Sequence, residues 1–269
     1  MIAVESPTVL EELPVRVALI SDIHGNDVAL RAALACIERV GVDLTVCLGD
    51  VATLGPRPRE TLAMLRDRRC PCIQGNHDAF LLDPAAARAY TDAQVVLDAV
   101  DWCRAELTTD DLAFVRSFEP AITLEPLAGA TLALFHGSPR SHTEELLATT
   151  PPDVLEELLG RDRATVMAGG HTHLQMLRQH RGTIIVNPGS VGMPFLEHAA
   201  GRAPTLLAVV ELAVVEISRA GTSVGLQRLP LDLHAALDEV RASKTPLRAM
   251  LLEQYANPSR PFSPHAPTG

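Results

Sequence analysis

Three carboxylates, five imidazoles and one amide recur in this chain where apolar runs end. The run "VRVALI" (15–20) leads into "SDIHGN" (21–26), which carries Asp22 and His24, and "VDLTVCLGD" (42–50) closes on Asp50. "CIQGN" (72–76) runs into "GNHD", giving Asn76, His77 and Asp78. "ATLALFH" (130–136) closes on His136, and "ATVMAGG" (164–170) is followed by "HTH", with His171 and His173. Such side chains are costly to bury unless something pairs with them. A lone D-x-H, a lone "GD" or a lone "GNHD" reads as an ordinary cap, turn or loop. "HTH" says more, because neighbouring imidazoles repel when protonated and suit a metal that keeps them neutral. Five such pieces at five strand ends make a metal site.

The donor set fixes the kind of metal. Nitrogen and oxygen donors without thiolate argue against a structural zinc knuckle. Imidazole, carboxylate and amide together suit manganese, iron, zinc or nickel. The donors are too many for one tetrahedral ion, whereas two ions about 3.5–4 Å apart sharing one carboxylate would use them all.

The elements that must position these donors alternate. A strand at 15–20 precedes a helix over 27–41 that Gly41 stops, a second strand closes at 50, and Pro58 opens a helix over 58–69 before a short strand at 72–76. That order predicts a largely parallel sheet, whose strand ends share one edge, the place where open α/β sheets bind ligands. Residues 80–118 read as wholly helical, with Val96, Val100, Cys103 and Leu107 on one stripe and Thr108 and Asp111 placed to cap a helix. Strand patterns return at 121–126, 130–136, 164–170, 174–180, 182–190 and 205–229, before a last helix at 231–242. The fold class is therefore α/β: two packed mixed β-sheets flanked by helices, an α-β-β-α sandwich, with a helical cap insertion over 80–118. Residues 1–14 read as an N-terminal extension, 15–243 as the domain, and 244–269 as a Pro-rich, loosely attached tail.

Composition narrows the function. The chain has 269 residues, 47% of them hydrophobic, and a net charge of −10. No basic run exceeds "RDRR" (66–69), which argues against a duplex nucleic-acid partner. An anionic substrate stays open, since bound metals can reverse the local sign of a site. The absence of a membrane-length apolar run and of a basic leader, together with five cysteines at no framework spacing, leads to the expectation of a cytoplasmic protein. "CPC" (70–72) reads as ordinary buried thiols, because no second cysteine pair completes a site.

"SDIHGN", "GD", "GNHD", "HGSP" and "GHTH", in this order over about 22–192, resemble the calcineurin-like metallophosphoesterase superfamily. Within it, "GDVATLGPRP" and "HGSPR" are similar to the small prokaryotic branch of phosphodiesterases and dinucleoside tetraphosphate hydrolases. The resemblance implies one ion on Asp22, His24, Asp50 and His173, and a second on Asp50, Asn76, His136 and His171, with Asp50 shared. It implies that His77 stands near the leaving-group oxygen and that Asp78 orients it. The expected activity is hydrolysis of a small phosphodiester or nucleotide by metal-activated hydroxide, with manganese the first expectation for the metal. A phosphomonoesterase or phosphoprotein phosphatase, or a non-catalytic scaffold, are the alternatives, and a homo-oligomer is compatible with either.

Around the donors, Arg140 in "HGSPR" is placed to reach a substrate phosphate through paired hydrogen bonds, whereas Arg57 reads as a solvated loop residue. Asn26 reads as a helix cap, and "NPGSVG" (187–192) as a tight turn closing the metal rim. Phe80, Tyr90, Trp102, Phe114 and Phe118 lie in the helical stretch, where the core of a small helical unit is the leading use and stacking on a nucleobase the other. His142, His180, His198, His234 and His265 read as surface residues.

Overall fold

A computed structural model describes residues 14–161 and 163–259. The elements run β1 (Val15–Ile20), α1 (Asp27–Val40), β2 (Leu44–Cys47), α2 (Pro58–Asp67), α3 (Asn76–Leu82), α4 (Pro84–Tyr90), α5 (Gln94–Glu106) and α6 (Thr109–Arg116). They continue with β3 (Ile122–Leu127), β4 (Ala130–Leu134), α7 (Pro152–Leu159), β5 (Val166–Ala168), β6 (Met176–His180), β7 (Thr183–Asn187), β8 (Val209–Ser218), β9 (Gly221–Pro230), α8 (Leu233–Ala242) and α9 (Arg248–Ala256).

The strands form two mixed sheets, β2-β1-β8-β9 and β3-β4-β5-β7-β6. In the first, β1 and β2 are parallel and β8 and β9 antiparallel; in the second, β4, β5 and β7 are parallel and the edges β3 and β6 antiparallel. Alternation along β1 explains the layering. Val17 and Leu19 face the second sheet and join Val46, Leu48, Leu132, Leu134, Val166 and Val215 in the core between the sheets. Ala18 and Ile20 face the other way, onto a core that takes Leu30 and Leu34 of α1, Leu62 and Leu65 of α2, Val240 of α8 and Leu251 of α9. On the far side α7 lays Leu155 and Leu159 against Phe135, Met167 and Ile185. The result is the α-β-β-α sandwich that the pattern predicts. No helix among the described residues is long and apolar enough to cross a membrane.

Local signals hold at several ends. Asn26 Oδ1 accepts the Ala29 N–H at 3.0 Å, Gly41 ends α1 with φ of 70°, and Pro58 sits in the first turn of α2. Thr108 and Asp111 form the capping box of α6, each side chain bonded to the other's backbone N–H. The five cysteines are buried free thiols.

Two expectations need correction. The strand expected at 72–76 is reduced to two single bridges, Cys47 with Cys72 and Ile73 with Glu119, because the chain turns at Gly75 into α3. Asn76, His77 and Asp78 therefore ride on the first turn of a helix. The expected loose tail is docked over Arg248–Ala256, where Leu251 is fully buried and the Tyr255 hydroxyl accepts a hydrogen bond from Asn26 Nδ2 at 3.1 Å. The short helix α7, opened by Pro152, was not foreseen. The calls on residues 1–13 and 260–269 lie outside the described residues.

Candidate metal centre

The loops leaving β1 and β2 continue to bond to each other beyond the strands. Asp22 N donates to Gly49 O, His24 N to Asp50 O and Gly25 N to Val51 O, at 3.0, 3.0 and 2.8 Å. The segment 187–192 pairs with the same loop, through Val191 N on Ser21 O, Gly192 N on Asp22 O and Ser190 Oγ on Asp22 O, so it closes the rim. These bonds hold an unusual backbone. Asp22, His24, Asp50, His171 and His173 all have φ between 47° and 66°. Non-glycine residues rarely adopt that region, at a cost of order 1–3 kcal/mol each. The surrounding glycines allow the crowding: a Cβ on Gly75 would stand 2.1 Å from Asp50 Oδ1, and one on Gly170 would stand 1.9 Å from Ser21 Oγ.

Two donor triads result, Asp22–His24–His173 and Asp50–His136–His171, each with its ligand atoms within 4.8 Å of one another. Each spans both sheets, since Asp22, His24 and Asp50 follow β1 and β2 while His136, His171 and His173 follow β4 and β5. In the first, His173 Nε2 is 3.3 Å from Asp22 Oδ1 and 3.1 Å from His24 Nε2. In the second, His136 Nε2 is 3.5 Å from Asp50 Oδ2 and 3.1 Å from Asn76 Oδ1. Asp50 Oδ2 also lies 3.8 Å from His24 Nε2, so one carboxylate oxygen faces both triads.

Hydrogen bonding on the far side of two rings shows what the triads fit. His136 Nδ1 donates to Leu48 O at 2.7 Å and His173 Nδ1 to Met193 O at 2.6 Å. A carbonyl only accepts, so the proton is on Nδ1 and the Nε2 lone pair points inward. Inside, those lone pairs meet carboxylate oxygen, amide oxygen and another imidazole nitrogen, and the buried Asp22 Oδ1 has no donor at all. Acceptors facing acceptors are what a cation requires, and the residues fit one.

The electrostatics agree. Burial lowers each imidazole of the bed, yet in His136 the Asp50 carboxylate overrides it and lifts the pKa to about 9, so that a proton on Nε2 supplies the positive charge where no ion does. In His173, Asp22 does the same against burial. Their partners go the other way: His24 is driven down to about 3 by burial and His173, and His171 to about 4 by burial and His136. Against burial, His173 holds Asp22 down to about 2, and His136 and His77 hold Asp50 well below the carboxylate range. The bed is built for ionised carboxylates around concentrated positive charge.

His77 lies in the same bed. Its backbone N–H donates to Asp50 Oδ1 at 2.9 Å, its ring centroid is 5.1 Å from that of His24, and its buried Nδ1 has no partner. Asp78 does not orient it. Asp78 Oδ2 accepts Asp50 N at 2.7 Å and Gly75 N at 2.9 Å, and Oδ1 accepts Val51 N at 3.0 Å. Being on one helical turn, the two side chains point to different sides, and the carboxylate pins the Asp50 loop instead. Burial lowers the His77 pKa and outweighs the nearby Asp50 carboxylate, which raises it.

Arg140 lies beside the bed and is tied to its own neighbours. It is half-exposed, its Nε donates to both Glu144 oxygens at 3.0 and 3.1 Å, and it lines a neighbouring depression with His136 and His142. Arg57 bonds Glu239 and so ties the start of α2 to α8.

The metal bed opens into a cleft of about 300 Å³ whose walls include Leu54, Tyr90, Val96, Glu145, Phe195 and His198. Phe195 stacks on His173 with centroids 4.1 Å apart. Of these walls Tyr90 carried a signal in the sequence, as an aromatic among five in one helical stretch, and Leu54 lies within "GDVATLGPRP"; Val96, Glu145, Phe195 and His198 were not singled out as cleft residues.

Fold and donors together define a metal-dependent phosphoesterase. The Calcineurin-like phosphoesterase superfamily domain matches residues 15–212, and the chain belongs to that family. It is a phosphoric ester hydrolase whose site takes divalent metal ions. An uncharacterized protein of Methanocaldococcus jannaschii is 28% identical over 193 residues, 66% of this chain and 76% of that one. A metallophosphoesterase from Sphaerobacter thermophilus has the same fold, with a TM-score of 0.66, 24% identity, and coverage of 90% of this chain and 98% of the other. A hypothetical protein from Pyrococcus horikoshii is also alike in fold, at a TM-score of 0.71 and 18% identity over 89% of this chain and 96% of the other.

Proposed function

We propose that this chain is a dinuclear phosphodiesterase acting on a small phosphorylated molecule, a nucleotide diester or dinucleoside polyphosphate. Asp22, His24, Asp50 and His173 would hold one ion and Asp50, Asn76, His136 and His171 the other, with manganese the first expectation among the manganese, iron, zinc or nickel that this donor set suits. The observation that carries the reading is Asp50 Oδ2, 3.8 Å from His24 and 3.5 Å from His136, a single carboxylate oxygen between two triads. When bound, such a pair of ions supplies Lewis acidity to a phosphoryl group and makes water nucleophilic near neutral pH.

The protein's own groups do the rest. The outward Nδ1–H bonds of His136 and His173 fix which nitrogen faces the phosphoryl site. His77, with no carboxylate tied to its ring, is the group placed to give a hydrogen bond or a proton to the departing oxygen. A cleft of about 300 Å³ supports a small-molecule substrate rather than a folded phosphoprotein, and the net charge of −10 argues against duplex nucleic acid. Five buried free thiols support a reducing, cytoplasmic location.

Turnover of bis-p-nitrophenyl phosphate and of p-nitrophenyl phosphate, with Mn²⁺ present, tests the reading. The diester is expected to be the better substrate, and His77→Ala to lower its kcat by about 10²–10⁴-fold. Turnover of the monoester alone, or of neither, contradicts it.

A further inference from the structure

Beyond the metal bed the cleft runs on between two lips. One is formed by Tyr90 and Val96, with Leu54 beside them; the other by Phe195 and His198, with Glu145. Five large hydrophobic side chains are exposed among the described residues, and Tyr90 at 48% is one of them. Two others, Val95 at 47% and Leu196 at 49%, adjoin the lip residues Val96 and Phe195 in sequence. An exposed aromatic ring on the wall of a polar bed marks a place for a ligand with an apolar face.

The chemistry of the lips narrows that ligand. The Tyr90 ring lies 5.4 Å from Phe80, and Phe80 lies 5.3 Å from His77, so an aromatic row leads from the bed to the lip. Burial, with the charges of Asp50 and Glu145, raises the Tyr90 phenol above its usual pKa, so it remains a hydrogen-bond donor. On the other lip His198 Nε2 and Glu145 Oε2 are 3.0 Å apart, a polar pair with hydrogen-bonding capacity to spare. A flat π face and a polar edge on one molecule would meet both lips. A lipid chain has neither.

We infer that the outer cleft is a nucleobase subsite, in which Tyr90 stacks on the base and the Glu145–His198 pair reads its polar edge. The inference rests on the phosphodiesterase reading, whose metal bed takes the phosphoryl group next to it.

Three phosphodiesters that share the p-nitrophenolate leaving group test it on the Mn²⁺-loaded full chain. Their second esters are thymidine 5′, methyl and octyl. The nucleoside diester should exceed the methyl diester in kcat/KM by about tenfold or more, mostly through KM, as expected for stacking on one base. Tyr90→Ala should bring that ratio to within about threefold and Tyr90→Phe should keep it, because the ring rather than the hydroxyl supplies the stacking. Equal kcat/KM for the nucleoside and methyl diesters in the parent chain overturns the subsite and leaves the phosphodiesterase reading intact. So does an unchanged ratio in Tyr90→Ala, or a preference for the octyl ester. Hydrolysis of none of the three overturns both.

Discussion

The metal rim and the helical stretch facing it are built on opposite terms. On the rim, five of the donor residues sit at positive φ, nearly all are buried, and backbone bonds between loops hold them there. In the helical stretch, ordinary devices suffice: an Asp83 cap on α4, a Thr108–Asp111 capping box on α6, and a small core of Phe80, Ala87 and Val100. The difference separates two tasks. Gathering acceptors around cations needs a strained backbone that the whole sandwich enforces. Shaping what lies above them needs only regular helices that leave a few side chains, such as Tyr90, in the open.

That contrast can be broken at several points. The largest effect is expected at His77. His77→Ala should cost about 10²–10⁴ in kcat, with bound metal, read by elemental analysis, unchanged. Loss of metal with loss of turnover would make His77 a ligand instead of a proton donor.

Metal removal comes next, because each triad staples the first sheet to the second. An ion present at about a hundred times its Kd adds about 2.7 kcal/mol of stability, roughly 5–10 °C in Tm for a chain of this size. Calorimetry with and without chelator should show that drop, whereas an unchanged Tm would mean that the rim is held by protein contacts alone.

Asp78→Asn tests the corrected role of Asp78. Replacing an acceptor of three backbone N–H groups should cost about 1–3 kcal/mol, while the pH profile of kcat keeps its shape, since His77 has no bond to that carboxylate. A shifted profile at unchanged stability would restore Asp78 as the partner of His77.

The smallest effect belongs to the helical stretch. Asp111→Ala removes the carboxylate that Thr108, Arg59 and Arg66 hold, for about 1 kcal/mol, with no change in metal content. Burial opposes it, but Thr108 and the two arginines keep the Asp111 pKa below its ordinary value of 3.8. The folded pKa is lower than the unfolded one, so the stabilisation is present above pH 3.8 and lost as acid carries the pH through the folded value. The Tm gap between parent and variant should therefore narrow in acid, and a gap independent of pH would assign the effect to packing.

The donors were legible because Asp22, His24, Asp50, Asn76, His136, His171 and His173 are of types that strand ends rarely bury, and they fall at five such ends. The sandwich was legible from apolar runs that alternate with helical patterns and from stops such as Gly41. What escaped depends on contacts that no local pattern carries. The direction of the Asp78 side chain is set by the Asp50 and Val51 N–H groups of a distant loop together with the Gly75 N–H of its own turn. The docking of α9 rests on Leu251, on Tyr255 and on Asn26, more than two hundred residues away in sequence. The outer cleft joins Leu54, Tyr90, Glu145 and His198 from four separate segments, and no local pattern says that these four meet. Positive φ at five non-glycine donors is likewise invisible in sequence, since tertiary bonding imposes it.

The most direct measurement is metal stoichiometry, by elemental analysis after reconstitution with Mn²⁺, in the parent chain and in Asp50→Ala. Two triads sharing one carboxylate predict about two ions per chain in the parent and fewer than about one in the variant. A parent that holds a single ion, or a variant that still holds two, would contradict a centre built around Asp50.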